Sequence, residues 1–220
     1  MKVRNLHAWN LTEEEAQDIQ RTLSKQVIPY DGFSTVQTIC GVDVSYRIKE
    51  NLATAACVAM SYPGLEVIET VAANTPVSFP YTSGLFSFRE IPALIPAVEK
   101  LKVQPDLIIC DGHGLIHPRR FGLACHLGLL VDIPTIGCAK SKLIGVYREP
   151  LQSRGSFEYV RHDGEIVGAV LRTTNKGTPV FVSIGHRICL ESAIKYILGC
   201  TDNHRLPEPV RYAHLRASEE

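Results

Sequence analysis

The chain has no net charge to offer a polyanion: 23 lysines and arginines are matched by 23 aspartates and glutamates. That balance argues against a broad nucleic-acid-binding face, so any such contact is expected from a local patch. No apolar run reaches the eighteen or so residues of a membrane span, and the start, Met1-Lys-Val-Arg-Asn-Leu-His7, has no apolar signal region. A cytoplasmic protein without a membrane partner is expected, or a nuclear one in a eukaryote. The sequence also lacks Cys-x-x-Cys. Its seven cysteines are an odd, scattered set, mostly within apolar stretches such as Thr38-Ile-Cys-Gly-Val42 and Thr135-Ile-Gly-Cys-Ala139. Free cysteine behaves there as a small buried hydrophobe, which excludes a disulfide framework and a zinc site and points to a reducing compartment. Nor is there a repeat, a low-complexity tract or a linker-like break in composition. Residues 1–220 therefore read as a single domain, long enough for a full core.

What is present centres on Pro105-Asp-Leu-Ile-Ile-Cys-Asp-Gly-His-Gly-Leu-Ile-His-Pro-Arg-Arg120. The apolar run 107–110, bounded by Pro105 and by Asp111-Gly112, has the pattern of a strand buried on both faces. Asp111 stands at its carboxyl end, where open α/β sheets bind ligands. Gly112 and Gly114 allow a sharp turn and a close approach to the backbone. With His117, Arg119 and Arg120 following, the stretch suggests chemistry on a phosphate or another anion. A surface loop with a solvated aspartate is the alternative.

Around this centre the elements follow in order. Thr12 and Glu15 have capping-box spacing, and Ala16, Ile19, Leu23 and Val27 continue a structural helix. Residues 37–46, 52–62 and 65–73 read as an antiparallel meander. In its first strand Cys40, Val42, Val44 and Tyr46 share one face, and Gly41, Asp43 and Ser45 the other. Asp43 is thus a mid-strand aspartate, uncommon but open to a plain solvated-face reading. A helix from Phe88 carries Glu90 near its start, with Pro92 in the first turn and a kink at Pro96. A first-turn glutamate is commonly a surface residue that complements the helix dipole. Helices are predicted over 121–131 and 185–198, and strands over 133–139, 157–162, 165–172 and 179–184, with Asp163-Gly164 a hairpin turn. The tail from Pro207 is mostly polar and carries His214.

An antiparallel meander followed by crossover units makes a mixed α/β sheet with helices on both faces. In such a sheet the first strand can lie beside the fourth, which would put Asp43 next to Asp111 with Glu90 offered by the helix between them. Three converging carboxylates repel one another unless a hard divalent cation holds them, the usual Mg²⁺ arrangement.

The ordered blocks Gly41-Val-Asp-Val-Ser-Tyr46, Phe79-Pro-Tyr81 with Gly84, Phe88-Arg-Glu90, Asp111-Gly-His-Gly114, His117-Pro-Arg-Arg120, Gly137-Cys-Ala-Lys-Ser141 and Gly185-His-Arg-Ile188 cover most of the chain. In these blocks the sequence resembles the endonuclease V family, deoxyinosine 3′-endonucleases with a ribonuclease H-like fold. The resemblance implies that Asp43, Glu90 and Asp111, with His214, hold a catalytic Mg²⁺, for which Mn²⁺ can substitute. It implies that His117 and Lys140 lie close to the cleaved phosphate. Tyr81 is implied as a wedge that enters the duplex. Gly112, Gly114, Gly122 and Ala139 are implied as a backbone-lined pocket for the extruded base. Arg119, with Arg120, Lys140 and Lys142, is expected to form the local patch that binds phosphate.

The expected reaction is hydrolysis of the second phosphodiester 3′ to inosine in DNA, leaving 3′-hydroxyl and 5′-phosphate ends, by a monomer. RNA is the alternative substrate, and nothing in the sequence announces a 2′-hydroxyl contact. The family's wedge usually carries a second proline, where this chain has Thr82-Ser83; its loss should loosen the loop. From composition alone Tyr81 reads rather as an ordinary loop tyrosine packed on the next helix; the family resemblance reverses that reading. Two other classes compete: a sugar-kinase-like ATPase, by fold analogy alone, and a non-catalytic inosine-binding module, which could dispense with the acids.

Overall fold

A computed structural model describes residues 1–219. Thr12 caps α1 (Glu13–Leu23): its hydroxyl accepts from the Glu15 amide, and the Glu15 carboxylate accepts from the Thr12 amide. The meander comprises β1 (Thr38–Arg47), β2 (Leu52–Ser61) and β3 (Val67–Pro76). Helix α2 (Phe86–Lys100) leads back to β4 (Leu107–Cys110), which pairs in parallel with β1. Helix α3 (Leu123–Val131) then crosses to β5 (Thr135–Ala139), parallel to β4. Strands β6 (Phe157–His162), β7 (Glu165–Leu171) and β8 (Val180–His186) complete an eight-stranded sheet in the order β3-β2-β1-β4-β5-β8-β7-β6. Asp163 and Gly164 both take positive φ in the turn between β6 and β7, the conformation that matches the twist of a two-residue hairpin. Among the described residues no helix is long and apolar enough to cross a membrane.

Period-two alternation sends the strands' side chains into two layers. Cys40, Val42, Val44, Ile108 and Cys110 pack with Ile91, Leu94 and Val98 of α2 and with Leu127 and Leu130 of α3. On the other face Ile39, Leu107, Ile109, Ile136 and Val182 pack under α4 (Leu190–Gly199), whose inward residues include Ala193, Ile194 and Ile197. All seven cysteines are free, and all but Cys189 are buried.

The structure corrects three elements. Helix α2 begins at Phe86, so Pro92 as well as Pro96 lies inside it rather than in its first turn. Neither proline can donate to the preceding turn, and the burial of Ile91, Leu94, Ala97 and Val98 sustains the helix regardless. Residues 185–186 are strand, not helix: Ile184 and His186 still pair with Ile136 and Thr135. A positive φ at Arg187 then turns the chain, and the Cys189 thiol accepts from the Ser192 amide to open α4. The polar tail forms a helix, α5 (Glu208–Ser218).

Helix α5 lies along β1 in matching steps. Gly41 meets the backbone of Pro209, Asp43 meets His214, and the Ser45 hydroxyl donates to the Ala217 carbonyl. Four strand residues advance about 13 Å and eight helical residues about 12 Å, so the two rows stay in step. A Cβ at Gly41 would lie 2.1 Å from the Pro209 carbonyl oxygen. Only glycine lets the helix seat here.

Candidate active site

Because β1 and β4 pair in parallel with Val42 opposite Cys110, Asp43 and Asp111 emerge side by side at one end of the sheet. The Asp111 amide continues the ladder by donating to the Val42 carbonyl at 3.2 Å. Helix α5 brings His214 to the same point, and its Nδ1 lies 2.7 Å from Asp43 Oδ2. Asp43, Asp111 and His214 each offer a ligand atom, and these atoms lie within 4.8 Å of one another. Glu90, 3 % exposed, comes from α2 and lines the same cavity of about 490 Å³, but stands outside that closest set. Lys140, just past β5, places Nζ 2.5 Å from Asp111 Oδ2.

The electrostatics mark the cluster as short of positive charge. Burial raises the pKa of Asp43, and the nearby Asp111 carboxylate raises it further; His214 and Lys140 work the other way. Burial pushes Glu90 well above the usual carboxylate range, with Asp43 and Asp111 adding to it. Burial opposes charge on Lys140, but its bond to Asp111 and the surrounding carboxylates outweigh that and raise its pKa. Carboxylates crowded in this way cannot all ionise unless a cation joins them. Two carboxylates and an imidazole, with a third carboxylate behind, form a donor set that fits a divalent cation.

A second cavity of about 300 Å³ adjoins the first and shares Tyr81, Phe86, Asp111 and Lys140 with it. Gly112, Gly122 and Ala139 line it, as do His113, Ser141 and Leu143, to which no pattern in the sequence assigns a role. The backbone packs closely here: a Cβ at Gly122 would lie 2.3 Å from the His113 carbonyl oxygen. Gly114 is not in the lining. It sits behind the cavity, where a Cβ would meet the Ile184 carbonyl at 2.0 Å, and its amide donates to the Ser183 hydroxyl.

Tyr81 stands between the two cavities and is 74 % exposed. Its ring meets Phe86 of α2 edge-on at 6.4 Å, a contact that leaves most of the side chain free. The loop around it is held more firmly than the missing proline implies. The Thr82 hydroxyl donates to Glu13 at 2.8 Å, and the Thr82 carbonyl accepts from the Leu85 amide at 2.9 Å.

His117 and the two arginines are held by hydrogen bonds within the protein. Nδ1 of His117 accepts from the amides of Arg119 and Phe121, so Nε2 carries the proton and donates to the Gly84 carbonyl at 3.0 Å. Burial lowers its pKa to about 4, against the Gly84 bond that favours its charge. The ring lines the second cavity, yet both its nitrogens are committed to main chain. Arg119 points Nε and Nη2 at Gln20 and Gly84, and Arg120 pairs with Glu165 at 3.0 Å. Both arginines line a separate depression with Arg21 and Pro118. The structure therefore does not gather Arg119, Arg120, Lys140 and Lys142 into one patch; only the two lysines border the second cavity.

The endonuclease V family model matches residues 21–215 of this chain. The chain belongs to the endonuclease V family. It is 50 % identical over 219 residues to endonuclease V of Trichormus variabilis, covering 99 % of each chain. The crystal structure of endonuclease V from Streptomyces avermitilis superposes with a TM-score of 0.92 at 40 % identity, over 100 % of this chain and 97 % of that one. Endonuclease V of Ciona intestinalis, solved in complex with a DNA 24-mer containing an inosine followed by a ribo-adenosine, matches with a TM-score of 0.82 at 29 % identity, over 94 % and 96 %. The mixed sheet with its meander and parallel strands is thus the ribonuclease H-like fold of endonuclease V.

Proposed function

We propose that this endonuclease V recognises deoxyinosine in DNA and hydrolyses the second phosphodiester bond 3′ to it, leaving 3′-hydroxyl and 5′-phosphate ends, in DNA repair. The observation that carries the reading is the Asp43–Asp111–His214 cluster opening onto a cavity that shares Tyr81, Asp111 and Lys140 with a glycine-lined second cavity. Asp43, Asp111 and His214, backed by Glu90, are the residues that would hold Mg²⁺, with Mn²⁺ as a substitute. A cation there supplies charge neutralisation for the phosphate and makes a nearby water easier to deprotonate.

The chain's own groups perform the rest. Lys140, whose side chain is 42 % exposed, keeps its proton and presents a cation on the wall between the cavities, where a phosphate would enter. His214 steers the Asp43 carboxylate through the 2.7 Å contact. The extruded base would enter the second cavity against the backbone of Gly112, Gly122 and Ala139. Hypoxanthine has a carbonyl and a protonated N1 where adenine has an amine and a bare nitrogen, so the wrong base leaves buried backbone groups unpaired. Tyr81 would fill the stack the base vacates. Residues 1–220 are proposed to act as one domain and as a monomer, with inosine-containing RNA as the alternative substrate.

The test uses end-labelled DNA and RNA strands of one sequence, each with a single inosine, incubated with Mg²⁺ and then with EDTA. Cleavage of DNA at the second phosphodiester 3′ to inosine, abolished by EDTA, is expected. A strong preference for the RNA strand replaces DNA with RNA in the proposal, and binding without cleavage of either overturns the catalytic reading.

A further inference from the structure

The carbonyl oxygen of Gly84 accepts from three side chains at once: Gln20 Nε2 at 3.0 Å, His117 Nε2 at 3.0 Å and Arg119 Nη2 at 2.7 Å. A carbonyl has two lone pairs, so three donors on one oxygen, one of them cationic, hold that peptide tightly. Gly84 closes the loop that carries Tyr81, and it does so with φ of 77°, where a side chain would be strained. Of the three donors only His117 lines one of the two cavities; Arg119 lines the separate depression, and Gln20 comes from α1.

Gln20 is fully buried, and its amide is in full use. Nε2 donates to the Phe121 carbonyl at 3.1 Å as well as to Gly84, and Oε1 accepts from Arg119 Nε at 2.5 Å. It lies on the apolar face of α1, in step with Ala16 and Leu23. A leucine or methionine would pack there without the desolvation cost of a primary amide. The amide does what those cannot. It joins the end of the Tyr81 loop to Phe121, the residue before Gly122 on the wall of the second cavity.

We propose that Gln20 is a positioning residue for Tyr81: by clamping the Gly84 and Phe121 carbonyls it fixes the wedge loop at a set distance from the base pocket. This rests on the reading of Tyr81 as a duplex wedge given above. An unclamped loop would still bind a base that is already unstacked. It would fail where the wedge must replace the base in a duplex. Gln20 thus serves duplex substrates in particular.

The experiment compares wild type, Gln20→Met, Tyr81→Ala and the double variant under single-turnover conditions on one inosine in duplex and in single-stranded DNA. Hydrogen exchange at the Leu85 amide, which is bonded to the Thr82 carbonyl, is followed in parallel. Gln20→Met keeps the volume and removes the clamp; Gln20→Glu, which keeps the acceptor for Arg119 and loses the amide donors, serves if the methionine variant folds poorly. Of the three bonds lost, the one to Gly84 bears on the loop; at about tenfold for one such bond, Leu85 should exchange about tenfold faster and duplex cleavage should fall about tenfold, with single-strand cleavage held within about twofold. In the Tyr81→Ala background the Gln20 change should add nothing. Additive losses, equal losses on both substrates or unchanged Leu85 exchange overturn the role of Gln20. Should Tyr81→Ala itself impair both substrates equally, the wedge reading falls first and this role with it.

Discussion

Val42 of β1 and Cys110 of β4 are register partners across a parallel pair of strands, and each is followed by an aspartate. That one pairing sets Asp43 beside Asp111, and everything else at the site is brought to them. Helix α2 supplies Glu90, α5 supplies His214, and the end of β5 supplies Lys140.

The seat of α5 on β1 can be tested at Gly41. Gly41→Ala would place a methyl 2.1 Å from the Pro209 carbonyl, and backbone cannot give way as a flexible side chain can. Overpacking of this kind costs roughly 1–3 kcal/mol. The variant should unfold at lower denaturant and bind Mn²⁺ more weakly, because His214 moves with the helix. Unchanged stability and unchanged metal affinity would contradict the placement of α5.

Tyr81→Ala should impair cleavage of inosine in duplex DNA by about tenfold to a hundredfold, the worth of roughly 1–3 kcal/mol of base–aromatic stacking. Single strands, where the base is already partly free, should lose much less. The comparison is made on both substrates with the variant's melting temperature checked. Equal losses, or a loss traced to unfolding, would make Tyr81 a packing residue of the Phe86 helix.

Salt should weaken binding despite the neutral composition, and of the four cations expected to form the patch only Lys140 and Lys142 border the second cavity. Lys142→Ala is expected to reduce the slope of log affinity against log salt by about one. Arg120→Ala should leave the slope unchanged, since Arg120 faces Glu165. A normal slope for the Lys142 variant, measured by fluorescence anisotropy, would reject this assignment.

His117 gives a pH prediction of definite sign. Its pKa falls from 6.5 in the unfolded chain to about 4 in the fold, so between those values the unfolded chain holds more protons. Its contribution to stability is therefore intact above pH 6.5 and is lost as pH drops toward 4, by roughly 3 kcal/mol. Glu90, with its pKa raised by burial, acts in the opposite sense as pH falls, so the test is the difference between wild type and His117→Asn. That difference should shrink as pH falls from 7 to 4 in urea unfolding. A difference that stays constant with pH contradicts a buried neutral ring.

How legible the site was in the sequence differed from residue to residue. The strands around Asp43 and Asp111 could be read because alternation in 38–46 and the Pro105 and Gly112 boundaries leave little choice of register or length. Helix α5 could not: its inward residues are Val210, Ala213 and Ala217, and two alanines give too weak an apolar stripe to show a period. His214 was therefore reached through family resemblance alone. The tie between His117 and Gly84 spans 33 positions and depends on tertiary geometry that no local pattern carries. Gln20 did leave a signal, a polar residue on the apolar face of an amphipathic helix between Ala16 and Leu23. A buried amide must find partners, and which ones, the Gly84 and Phe121 carbonyls, only the tertiary structure shows.

The central claim is that the Asp43–Asp111–His214 cluster is a metal-dependent hydrolytic centre. Its most direct test is single-turnover cleavage of inosine-containing DNA by wild type and Asp111→Asn in Mg²⁺, with binding measured in EDTA. Asparagine removes a charged ligand while keeping the shape of the second cavity, which Asp111 also lines, so cleavage should fall about a thousandfold and inosine binding stay largely unchanged. Cleavage by Asp111→Asn near the wild-type rate in Mg²⁺ would contradict the account.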